Sequence, residues 1–217
     1  MTNNVKDQLS ELNQIANQVS DLVDNCKSFG NTEKQTLFLT YFDINVEHLQ
    51  ALSFLISKDL NGSAFALVRT MYETFFRALW VNAFATDEQL KKIRNDKFNF
   101  MRDEGNMGHK IEKLNDYYTG NNYFKDLKVG AWGIMSDFTH SGSVQLSSRW
   151  TDDELKPNYK ESEILEVIIE TTETYLLFTY TLFKLHGCNN EENKVLDVLI
   201  KYREKTNHIL DNLSNRE

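Results

Sequence analysis

A single proline, Pro157, leaves this 217-residue chain almost without enforced breaks, and nine glycines add few more. Strand-rich folds need more frequent turn punctuation, so the scarcity points to long helices. Cysteine is scarce as well. Cys26 and Cys188 form no CxxC pair, which argues against a metal site and a disulfide framework and suits a reducing compartment. Also missing is a long apolar run free of charge. The two most apolar stretches are 64–85, which carries Arg69, Glu73 and Arg77, and 164–185, which carries Glu166, Glu170 and Glu173; neither suits a bilayer. The opening residues lack the basic and apolar regions of a secretory signal, so a soluble cytoplasmic protein with no membrane partner is expected.

Positive charge is in deficit, with 24 Lys and Arg against 32 Asp and Glu and a net charge of −8. The mean field repels phosphate, which disfavours nonspecific nucleic-acid binding as the main activity but leaves room for a local arginine cluster. No phosphate-cradling glycine loop and no internal repeat is present, which removes support for Walker-type and Rossmann nucleotide sites.

What the chain does have is helical patterning. Val5, Leu9, Leu12, Ala16, Val19 and Val23 are spaced as a heptad seam in an N-terminal helix over 1–28, which seeks either its own bundle or a second copy through 5–23. Thr32-Glu-Lys-Gln35 and Thr86-Asp-Glu-Gln89 have the form of capping boxes, predicting helices to about Lys58 and Arg102. Asn61-Gly62-Ser63 reads as a turn and cap before a helix to Ala85. A short helix is expected over 110–118, and longer ones over 123–140, 162–186 and 190–210, with Gly187 as a C-terminal cap. Gly130 and Gly133 suggest a close helix approach. The segment 141–159 is irregular, allows a short strand within Ser143–Trp150, and reads as a lid or site wall. The expected fold is one all-α domain, 1–217, a bundle of six to eight helices.

Two constellations carry chemistry. In the helix Ser63–Trp80, Arg69, Glu73 and Arg77 recur every four residues and share one face among large apolar side chains. Such a row is either an internal ladder bridged by Glu73 or a cleft gripping phosphate or carboxylate, with Glu73 holding the arginine forks. The second constellation, Trp132, Ser136, Thr139 and His140, lies along one face near a helix end, with Asp137 close by. No Gly-x-Ser-x-Gly elbow supports serine catalysis, and Glu73, Glu104, His109 and His140 match no metal-binding pattern, so no metal or cofactor is expected.

From about Ala64 to Ile168 the chain resembles a bacterial family of helical proteins without an assigned activity. The resemblance rests on Arg69, Tyr72, Glu73, Arg77 and Trp80, then Trp132, Met135, Phe138, Thr139, His140, Gly142 and Gln145, then Pro157, Asn158 and Tyr159. It makes 63–168 the core of the domain and links both constellations into one site. More distantly, the helical organisation is similar to the HEPN superfamily of bacterial toxin and antiviral proteins. There, an Arg and a His on one helix with four to six residues between them cleave RNA without metal across a dimer. The resemblance implies a metal-independent endoribonuclease or a degenerate relative, in phage defence or toxin–antitoxin systems. In this expectation Arg77, Glu73 and His140 are catalytic, and Arg69, Trp132, Thr139 and Gln145 bind the ligand. Arg203 and His208 form an alternative pair with the superfamily's spacing, as do Arg102 and His109. The competing expectation is a noncatalytic module for an anionic small molecule or a protein partner.

Overall fold

Three threonines start three of the helices. Thr2, Thr32 and Thr86 stand in extended conformation and accept a hydrogen bond from the backbone N–H three residues on. Gln35 and Gln89 return the bond to the threonine N–H at 3.0 and 2.9 Å, completing two capping boxes. In the computed structural model, the backbone is described except at residues 27–28, 31, 105–106, 120–122, 152–153 and 215–217. Side chains at 101, 104, 107–109, 119, 123, 125–131 and 210–214 also lie outside the description. The order is α1 (Asn3–Asn25), α2 (Glu33–Ser57), α3 (Asn61–Phe84), α4 (Asp87–Arg94), α5 (Phe100–Glu104), α6 (Met107–Leu114) and a π-helical turn (Asn115–Thr119). Then come α7 (Tyr123–Thr139), α8 (Ser143–Ser147), β1 (Trp150–Thr151), β2 (Glu154–Leu155), α9 (Glu161–His186) and α10 (Asn189–Ser214). The fold is an all-α single-domain bundle.

Two helices organise the core. α3 packs against α2, α7 and α9, and α9 against α10, α2 and α1. Helices covered on several sides must satisfy their own polar groups. In α9, Thr171, Thr172 and Thr179 are fully buried and donate their hydroxyls to the carbonyls four residues back, at 2.6, 2.7 and 2.8 Å. Phe178 then meets Phe38, Phe42 and Phe75 at centroid distances of 5.2, 5.4 and 4.9 Å. Asn45 fastens α2 to α3 by donating to the Met71 carbonyl at 2.9 Å.

The heptad seam packs inward. Val5, Leu9, Leu12 and Val19 are buried with Ile15, and α1 lies against α9. Gly187 adopts φ 69° and ends α9 as its glycine suggested.

Several local expectations are corrected. The third helix begins at Asn61, two residues before the expected cap, because the turn is made at 58–60, with Asp59 at φ 57°, and Asn61 is already buried in the first turn of α3. The helix opened by Thr86 stops at Arg94 rather than Arg102. Asp96, at φ 54°, turns the chain so that Phe98 and Phe100 pack on Trp80 at 5.8 and 5.6 Å. The helix expected from 110 begins at Met107. Within Ser143–Trp150 the chain forms the helical turn α8; strand pairing is confined to Trp150 opposite Leu155 and Thr151 opposite Glu154. Gly133 has no atom within 4 Å of where a Cβ would stand, so it mediates no close approach, and Gly130 lies outside the described side chains.

The largest correction concerns the cysteines. Cys26, just past α1, and Cys188, between α9 and α10, are joined in a disulfide across 162 residues of sequence. Their separation in the chain hid a proximity that the packing of α1 on α9 creates.

Candidate functional site

The charged row of α3 is both a ladder and half of a larger cluster. Glu73 Oε1 accepts from Arg69 Nε at 2.9 Å, and Oε2 accepts from Arg77 Nη2 at 3.0 Å. The three side chains are 22%, 22% and 38% exposed in the order Arg69, Glu73, Arg77, so they sit at the edge of the core rather than inside it. Here the row meets α7.

Ser136 and His140, one turn apart near the end of α7, both face Arg69. Arg69 Nη1 donates to Ser136 Oγ at 3.0 Å and lies 3.1 Å from His140 Nε2. A guanidinium cannot accept, so Nε2 is the acceptor and the imidazole carries its proton on Nδ1. Trp132, one turn earlier, lies beneath the guanidinium with 5.3 Å between Arg69 Cζ and the ring centroid. Arg69 thus has an aromatic floor, a carboxylate on one side and an imidazole on the other. Its Nη2 makes no hydrogen bond among the described residues and is the edge a ligand would meet.

Arg77 is placed differently. Its guanidinium lies 5.2 Å from the Phe100 ring, and its Nε is buried without a hydrogen-bond partner among the described residues. Tyr41 stands close enough to feel it: burial pushes the Tyr41 phenol up, and the Arg77 charge pulls it part of the way back.

The polar residues around His140 mostly serve the backbone. Ser136 donates its hydroxyl to the Trp132 carbonyl at 2.7 Å while accepting from Arg69, so no base takes its proton. Asp137 accepts from Val144 N–H at 3.0 Å and caps α8, which separates it from any triad role. Gly142 is required beside it, since a Cβ there would come within 2.1 Å of Asp137 Oδ1. Thr139 donates to the Met135 carbonyl at 2.8 Å and reaches the Ala66 carbonyl at 3.4 Å, tying α7 to α3. Gln145 is half-buried on α8 and makes no hydrogen bond among the described residues.

The alternative pair does not converge. Arg203 is held by Glu173 of α9, its Nε 2.8 Å from Oε1. His208, five residues on, points roughly 140° away around α10 and is exposed. Arg102 pairs with its neighbour Asp103 at 3.0 Å, and the side chains of His109 and Glu104 lie outside the description.

Sequence reasoning gave no site role to Phe100, to Arg149 or to Tyr159, although Tyr159 was among the residues that carry the resemblance. Phe100, beneath Arg77, follows a break in the helix that local patterning did not show. Arg149 and Tyr159 come from the irregular segment, Arg149 Cζ lying 5.8 Å from the Tyr159 ring centroid, and they meet α3 at Gly62. The available signal was Gly62 itself, an unusual residue for the first turn of a long apolar helix.

No curated protein and no solved structure matches the chain. Residues 42–207, about three quarters of it, match the model of a family of unknown function (DUF6988). That span contains α3, α7 and every contact of the Arg69 cluster. The chain belongs to this family.

Proposed function

We propose that Arg69, Arg77 and His140 form a receptor for a phosphate-bearing ligand. The observation that supports this reading best is the 3.1 Å approach of Arg69 Nη1 to His140 Nε2, beside an Nη2 edge with no partner among the described residues. Two guanidiniums against one carboxylate leave the cluster net positive on a protein of net charge −8. An anion drawing Arg69 toward itself loosens its hold on His140 and frees the Nε2 lone pair. Thermal-shift titration with inorganic phosphate and nucleotides tests this. Stabilisation is expected in the wild type and should be lost in Arg69→Ala; a wild type indifferent to every anion would refute it.

The same arginine–imidazole pairing favours a second, catalytic reading: a HEPN-like metal-independent ribonuclease, or its degenerate relative, in cytoplasmic phage defence or toxin–antitoxin biology. In it the arginines carry phosphate charge, and His140 Nε2 takes the proton of the attacking 2′-hydroxyl. This reading brings a homodimer with it, which light scattering would detect. RNA should be cut in EDTA, and equal cutting by Arg69→Ala, Arg77→Ala and His140→Ala would exclude it.

A further inference from the structure

The cluster continues along α3 past Arg69. At 100° per residue, Gly62, Ala66, Arg69, Glu73 and Arg77 fall within roughly 80° of arc. At 1.5 Å per residue, Gly62 lies roughly 10 Å before Arg69 along the axis, and Arg77 roughly 12 Å after it. Above Gly62 stands Arg149: a Cβ at that position would come 3.2 Å from Arg149 Nη2 and 2.3 Å from Tyr159 Oη. The glycine is what lets Arg149 and Tyr159 close down on this face.

Arg149 is half-buried, and its guanidinium has no carboxylate or hydrogen-bond partner among the described residues. The three arginines repeat one arrangement, each over an aromatic ring: Arg149 on Tyr159 at 5.8 Å, Arg69 on Trp132 at 5.3 Å and Arg77 on Phe100 at 5.2 Å. Glu73 is the one carboxylate bonded to them among the described residues. A guanidinium held over a ring leaves its outer face for a base to stack on and its edges for phosphate.

We propose that this stripe binds a single nucleic-acid strand lengthwise along α3, with Arg149 as an end contact that a mononucleotide at Arg69 does not reach. The inference rests on the reading of Arg69 as an anion receptor and adds the ligand's form: several phosphates in series, spread over roughly 22 Å. The net charge of −8 slows approach at low salt without preventing binding at the stripe.

Fluorescence anisotropy with a labelled 2′-O-methyl decauridylate, which cannot be cleaved through its 2′-oxygen, tests it in EDTA. Arg149→Ala and Arg77→Ala are each expected to weaken binding about tenfold. Each should also make the dependence of log K on log salt shallower, by about 0.7 for every phosphate no longer held. Arg149→Gln, which keeps much of the side chain's bulk without its charge, should weaken binding similarly at an unchanged melting temperature, which distinguishes a missing charge from misfolding. If both Arg149 variants bind the decamer as the wild type does while Arg69→Ala fails, the strand inference falls and the anion receptor stands. Wild type responding to phosphate but not to the decamer leads to the same conclusion. Response to neither overturns both, and equal affinity for decaglutamate overturns the nucleic-acid assignment.

Discussion

Glu73 accepts from two arginines at once, and removing its charge leaves two half-buried guanidiniums facing each other. Because all three side chains keep solvent exposure, the cost is expected to be moderate. Glu73→Gln should lower unfolding free energy by about 1–2 kcal/mol, read from the urea midpoint. A second carboxylate behaves in the opposite sense. Burial first, then the nearby Glu173 and Glu166, raise Glu170 above the ordinary 4.5, while a hydrogen bond from Tyr72 and the charge of Arg203 pull it back. A raised folded value means that the native protein holds this proton more tightly than the unfolded chain. Glu170 therefore contributes most below pH 4.5, and that contribution is lost as pH rises through its folded value. Glu170→Gln should stabilise the protein at neutral pH and flatten the decline of stability from about pH 4.5 upward, as denaturation at a series of pH values would show.

The elements that were legible in the sequence are those fixed by local chemistry. Both capping boxes and the Gly187 stop depend on residues within a few positions of one another. So does the Arg69–Glu73–Arg77 ladder. Features set by distant packing were not legible. The helix break at Asn95 follows from Phe98 and Phe100 turning back to Trp80, and Arg149 and Tyr159 reach α3 where Gly62 leaves room for them. The join of Cys26 to Cys188 belongs to the same group and carries its own consequence for α1. By closing a loop of 162 residues, the disulfide restricts the unfolded chain severely. Cys26→Ser should lower stability by up to about 5 kcal/mol, and a reducing agent should lower the wild type equally while leaving the variant unmoved in parallel urea titrations.

At the scale of the whole molecule, charge and hydrophobicity are both distributed unevenly. Among the described residues no helix is long and apolar enough to cross a membrane, and in a chain of net charge −8 the arginines Arg69, Arg77 and Arg149 have Glu73 as the one carboxylate bonded to them. The span shared with the family begins at residue 42, partway along α2. Yet Phe38, four residues earlier, meets Phe178 at 5.2 Å, and α1 covers α9 with Leu9, Leu12 and Val19. A chain cut to 42–207 should lack a cooperative unfolding transition by circular dichroism and bind a hydrophobic dye, since the removed residues bury one side of its central helix. The cut would also leave Cys188 with a free thiol. The boundary of family likeness therefore runs through the middle of the fold's core, and the part inherited in common must borrow its lid from sequence that lies outside the likeness.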